Sequence, residues 1–168
     1  MALENLQKER LKKLKNIQQL GINPYPARTS RKQSIFAARK MMGKKVFIVG
    51  RLRSLRPHGK ITFADIEDTT DKIQLLFRQD TVKNGGYDFL QNLDLGDFIE
   101  ISGEVIKTQA GEITVDVESF GILTKSLRPL PSTWYGLKDV EERYRKRYLD
   151  LLMNSEVKET FIKRTKIV

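Results

Sequence analysis

A mainly β fold, one small five-stranded barrel with flanking helices, is what this sequence predicts. Three observations point to it. Hydrophobic periodicity is helical up to about Leu20 and switches to a period of two from Lys44. Five alternating runs bounded by turn residues then follow within about 80 residues. One stretch with helical spacing interrupts them, between the third run and the fourth.

Ala2 to Leu20 reads as a helix, because Leu11, Leu14 and Ile17 or Leu20 recur every three to four residues, with Lys12, Lys13 and Lys15 on other faces. Gly21 supplies a left-handed stop, and Pro24 and Pro26 prevent continuation. The apolar stripe is narrow, so this helix is expected to rest on a larger body. Ala27 to Gly43 reads as a basic linker with a helical turn or two around Ser34 to Met41.

From Lys44, Val46, Ile48, Gly50 and Leu52 alternate with Phe47, Val49, Arg51 and Arg53 as a first strand, which turns at Pro57-His58-Gly59. Ile61 to Glu67 is a second strand, Thr69 to Asp71 a turn, and Lys72 to Arg78 a third strand. Thr81 to Leu93 returns to helical spacing through Tyr87, Leu90 and Leu93, with an irregularity at Gly85-Gly86. Phe98 to Lys107 and Glu112 to Leu123 form a hairpin around Ala110-Gly111. This order is that of an OB-fold, a five-stranded Greek-key barrel. A five-stranded SH3-like barrel is the rival, but it lacks the helix between strands three and four. Gly50 and Gly103 fit sharp bends within long barrel strands.

Leu127 to Trp134 is proline-punctuated and reads as an extended linker. Val140 to Leu152 is helical, with Tyr144, Tyr148, Leu149 and Leu152 at compatible spacing. Ser155 caps a last helix that runs to Val168 without a stop, so a longer natural protein is expected. Three regions result: 1–43, a basic helix and linker; 44–125, the barrel; and 126–168, a linker and the start of something further.

The formal net charge of +10 is not spread evenly. Residues 1–45 hold twelve Lys and Arg against two acids, Glu4 and Glu9, and the remainder balances nineteen against nineteen. A cationic segment beside a neutral domain attracts a polyanion through counterion release, without selecting sequence. A solvated lysine-rich helix would have the same composition. Absence of cysteine excludes disulfides, thiol catalysis and cysteine-ligated zinc, and one histidine, His58, leaves little for a metal site. No apolar run approaches the roughly 20 residues of a membrane span, and no secretory signal is visible, so a cytoplasmic setting is expected.

Strand parity narrows the chemistry. Ile73, Leu75 and Phe77 point to the core, which leaves Gln74, Leu76 and Arg78 outside. Thr62, Ala64 and Ile66 point inward, which leaves Ile61, Phe63 and Asp65 outside. OB barrels bind oligonucleotides on this face. An outward Phe beside a side-chain amide and Arg51, Arg53 and Arg56 suits an unpaired base, which stacks on the ring and is read along its edge. A parity slip of one would bury Phe63 instead, and the arginines could simply pair with Asp65, Glu67 and Asp68. Nothing supports nucleophilic or acid–base catalysis: the acids are scattered, and Asn84-Gly85-Gly86 reads as a turn rather than a phosphate cradle.

The segment Leu127-Arg-Pro-Leu-Pro131, followed by Gly136-Leu-Lys-Asp-Val-Glu-Glu-Arg-Tyr-Arg-Lys-Arg-Tyr-Leu-Asp-Leu151, closely resembles the junction of class II lysyl-tRNA synthetases. Gly21-Ile-Asn-Pro-Tyr-Pro26, Val49-Gly-Arg51, Gly59-Lys-Ile-Thr-Phe63 and Asp71-Lys-Ile-Gln74 are similar to that family too. The resemblance covers nearly the whole chain. It implies an anticodon-binding OB domain ahead of a catalytic domain, of which only the beginning of the first class II motif, Phe161 to Ile167, is present. Phe63 would then stack on the middle anticodon base, a uridine, with Gln74 and Arg56 hydrogen-bonding it and Glu112 contacting the anticodon as well.

Lys8, Lys12, Lys13 and Lys15, with Arg51 and Arg53, are the candidates for phosphate contacts along the tRNA. The resemblance further implies tRNA-Lys as partner, a homodimeric full-length enzyme, no membrane association, and ATP and Mg2+ as cofactors of that enzyme. Within these 168 residues it implies no cofactor, no metal, no catalytic residue and no formation of lysyl-adenylate. The sibling aspartyl and asparaginyl enzymes share the Phe, Gln and Arg, and a stand-alone OB protein would explain the barrel and basic N-terminus. The LKKLK helix and the LRPLP junction favour the lysine family.

Overall fold

The computed structural model describes residues 3–83, 86–130 and 139–168, which divide into two compact units, Met1–Pro129 and Leu130–Val168. In the first unit, β1 (Lys45–His58), β2 (Ile61–Glu67), β3 (Lys72–Arg78), β4 (Phe98–Lys107) and β5 (Ile113–Thr124) close into a barrel in the order β1-β2-β3-β5-β4. All pairings are antiparallel except β3 with β5, where Gln74, Leu75 and Leu76 lie beside Thr114, Val115 and Asp116 in parallel register. This is the OB-fold order expected from the strand spacing.

Alternation explains the core. Val46, Ile48 and Leu52 of β1, Ala64 and Ile66 of β2, and Ile73, Leu75 and Phe77 of β3 are all buried, with their in-between neighbours more exposed along most of each strand. Ile99, Ile101 and Val105 of β4 meet Val115 and Val117 of β5 in the same interior. Each of the larger side chains, Val and above, contributes about 1.5–3 kcal/mol of apolar burial. Gly50 and Gly103 do mark tight places: a Cβ at Gly50 would lie 2.9 Å from the Ile66 Cβ, and one at Gly103 would overlap the Asp116 carbonyl.

Several local expectations are corrected. β1 runs through Pro57 and His58, and the turn falls at Gly59-Lys60 with Gly59 at a φ of 59°. Pro57 sits near the end of its strand, where a missing N–H is tolerated. β5 starts at Ile113, so Glu112 stands just ahead of it. The helical stretch after β3 is short, α3 (Gly86–Phe89) and a 3-10 turn over Leu90–Asn92, with Leu90 and Leu93 buried. Of the glycine irregularity expected there, Asn84 and Gly85 lie outside the described residues.

α1 (Leu3–Gln19) ends as the sequence suggests. Gly21 has a φ of 73°, its N–H donates to the Gln18 carbonyl, and the Ile22 N–H donates to the Ile17 carbonyl. The buried stripe differs: Ile17 and Arg10 are buried, whereas Leu11 and Leu20 are exposed. Arg10 takes an inward position because its guanidinium donates to the carbonyls of Leu95, Ser126 and Arg128 at 2.9–3.1 Å. α2 (Ile35–Ala38) is one turn, capped by the Ser34 hydroxyl and by Asp68, whose carboxylate accepts from the Ile35 N–H.

Where the chain leaves the barrel, the fully buried Lys125 ammonium bridges Asp94 and the buried Asp97, and Asp97 also accepts from the N–H groups of Asp94 and Ser126.

In the second unit the single helix expected over Val140 to Leu152 is two, α4 (Val140–Arg145) and α5 (Arg147–Met153), broken at Lys146, and α6 (Ser155–Ile167) follows. Tyr144 and Tyr148 are exposed, whereas Asp150 is fully buried. Arg143, Arg147 and Asn154 all donate to its carboxylate. Burial alone would raise the Asp150 carboxyl, but those three donors outweigh it and hold it below the usual value. The cap position of α6 is Asn154 rather than Ser155, with its amide engaged by Asp150. Of the proline-rich linker and the junction segment, Pro131 to Lys138 lie outside the described residues. No helix among the described residues is long and apolar enough to cross a membrane.

Candidate nucleic-acid interface

β2 and β3 carry Phe63 and Gln74 on the outside of the barrel, and antiparallel pairing sets Phe63 opposite Arg56 of β1 and Leu76 of β3. The parallel pairing of β3 with β5 sets Gln74 opposite Thr114, next to Glu112. Four of the residues singled out in the sequence, Arg56, Phe63, Gln74 and Glu112, thereby line one open cleft of about 560 Å³, together with Leu76, Arg78 and the β4–β5 loop. The Phe63 ring is half-buried and meets the exposed His58 ring edge-on, with centroids 6.5 Å apart. One face of a ring so placed can be covered by a planar ligand.

The polar groups around it are held from behind. Gln74 Nε2 donates to Glu112 Oε2 at 3.0 Å, and Thr114 Oγ1 donates to Gln74 Oε1 at 2.9 Å. The loop fixes Glu112, because its N–H donates to Thr108 Oγ1 and its carbonyl accepts from the Thr108 N–H. Arg56 donates to Asp65 at 3.2 Å, and Asp65 in turn accepts from Ser54.

Asp65 lies on the outer face that parity gives it but is covered there by Ser54 and Arg56, which satisfy its charge. Leu76, also expected outside, is buried at the floor of the cleft. Arg78 lines the cleft and approaches Asp116, whose carboxyl burial pushes up and the Arg78 charge pulls down, leaving it above the usual value. Nothing in the sequence singles out Thr114, because a parallel, non-local pairing leaves no periodic signal.

The other candidates are not brought to this cleft. Arg51 stacks on the Phe98 ring at 4.3 Å, and burial and the charge of Arg53 pull its guanidinium down. Arg53 lies in the register shift of β1 and pairs with Glu67 at 3.1 Å. On α1, Lys13 is bonded to Asp94 at 2.8 Å, whereas Lys8, Lys12 and Lys15 are exposed. Among the described residues no group of three metal-ligating side chains is assembled.

Residues 46–123 match the family of OB-fold nucleic acid binding domains of the tRNA anticodon type. The chain is also 48% identical to the lysine–tRNA ligase of Carboxydothermus hydrogenoformans over 99% of its length, 46% identical to that of Syntrophomonas wolfei over 100%, and 45% identical to that of Moorella thermoacetica over 99%. It spans 35% of the length of each of these curated relatives. The chain is therefore similar along nearly its whole length to part of the lysine–tRNA ligases, and its barrel has the OB fold and matches the family of OB-fold nucleic acid binding domains.

Proposed function

We propose that this chain is the anticodon-reading region of a lysine–tRNA ligase and that the cleft between β2, β3 and the β4–β5 loop receives the middle anticodon base. The observation that carries the reading is the convergence of Phe63, Gln74, Arg56 and Glu112 on one open cleft. An unpaired uridine lies against the Phe63 ring, and stacking holds any base there without selecting it. Selection comes from the edge: Arg56 and Gln74 donate toward uracil carbonyl oxygens, and the Glu112 carboxylate accepts an imino N–H. The exposed α1 lysines Lys8, Lys12 and Lys15 add phosphate contacts that are blind to sequence.

The full-length enzyme joins lysine to tRNA-Lys, with ATP and Mg2+ supplied to a catalytic domain, as a cytoplasmic homodimer. Fluorescence titration with a UUU-containing stem-loop against a scrambled loop tests the reading. Tighter binding of the UUU loop is expected, and equal affinity for both would sink it. Competition with the aspartate anticodon loop separates the lysine reading from its sibling enzymes.

A further inference from the structure

The Thr114 side chain is fully buried behind the cleft. A buried hydroxyl is costly unless bonded, and this one directs its single proton to Gln74 Oε1 at 2.9 Å, with the Glu112 carbonyl the more distant alternative at 3.3 Å. The other end of the same amide, Nε2, donates to the Glu112 carboxylate at 3.0 Å. An amide turned by 180° occupies almost the same space but exchanges its donor and acceptor ends. Turned over here, Gln74 would set its oxygen against the oxygens of Glu112 and lose the proton offered by Thr114.

We infer that Thr114 is a positioning residue for base reading: with Glu112, it locks the Gln74 amide with its oxygen inward, so that the second Nε2 hydrogen is what Gln74 offers to a base. The inference rests on the proposed reading of the cleft. A donor fixed beside the Glu112 acceptor complements a uracil edge, in which a carbonyl oxygen adjoins an imino N–H. Cytosine presents an amino group where uracil has its carbonyl, and meets the fixed donor with another donor. A freely turning amide would accommodate both pyrimidines.

The experiment measures affinities for stem-loops carrying U or C at the stacked position. Thr114→Val keeps the shape and removes the hydroxyl, and is expected to lower the U-over-C ratio about three- to tenfold, the effect of one hydrogen bond. Thr114→Ser is expected to keep the ratio within about twofold of the parent. Gln74→Ala should lower the ratio as far, and adding Thr114→Val to it should change nothing further, because both act through one amide. Thr114→Ala stands in if the valine variant does not fold, which a thermal melt reports. A Thr114→Val ratio equal to the parent's, or a loss undiminished in the Gln74→Ala background, overturns the inference. If Phe63→Ala binds both loops as the parent does, the cleft reading itself falls, an outcome distinct from either of these.

Discussion

Phe63 and Leu76 face each other across β2 and β3, and strand parity puts both on the outside. Phe63 stays half-exposed at the rim, while Leu76, flanked on both sides by paired strands, forms the floor. Phe63→Ala is therefore expected to cost about 1–3 kcal/mol of stem-loop binding by titration, with a melting temperature close to the parent's. Parity gave the direction of Phe63, Gln74 and Arg78 directly, because alternation is a local property. Parity does not foresee that Ser54 and Arg56 cover Asp65 on that outer face, and it says nothing of Thr114. The roles proposed for Arg56 and Glu112 came from family resemblance rather than from their immediate sequence.

β2, β3 and β4 were legible in the sequence to their last residues because turn residues bracket clean alternation. The break at Lys146, where φ is -114° and ψ 50°, was not, since helical spacing continues across it. The position of Gly103 within a long strand fits a bend, and the close approach of the Asp116 carbonyl makes the glycine indispensable. Gly103→Ala is expected to prevent closure of β4 on β5, seen as loss of the cooperative melt.

Asp68 joins the β2–β3 turn to α2. Burial raises its carboxyl, but bonds from the Thr70 hydroxyl and from the N–H groups of Ile35, Thr70 and Asp71 outweigh burial and hold it below its ordinary value of 3.8. Its contribution is thus present above that value and lost as pH falls through the depressed one. Asp68→Asn should lose roughly 1–3 kcal/mol in urea unfolding at neutral pH, and the gap to the parent should narrow as pH falls below 3.8.

At the scale of the whole molecule, the basic excess of the first 45 residues separates into two kinds. Arg10, Lys13, Arg31, Arg39 and Lys45 are engaged by carbonyls and carboxylates of the barrel. Lys8, Lys12 and Lys15 are exposed, and among the described residues none has a carboxylate partner. Replacing these three with Gln should weaken every stem-loop alike and reduce the salt slope by about 0.7 for each phosphate no longer neutralised. Lys13→Gln should instead lower the melting temperature. Composition located the charge but could not sort it, because the acids that claim it lie far along the chain. The same long reach decides where the domain ends. All five strands are essentially complete by residue 123, where the family match stops. Yet the counter-ion of the fully buried Asp97 is Lys125, two residues later, which it shares with the partly exposed Asp94. A barrel trimmed after residue 123 would strand the buried Asp97 anion, at about 3–5 kcal/mol, while Asp94 would keep Lys13. It should melt well below one that ends after Ser126, so the smallest self-sufficient piece is delimited by charge neutrality rather than by its last strand.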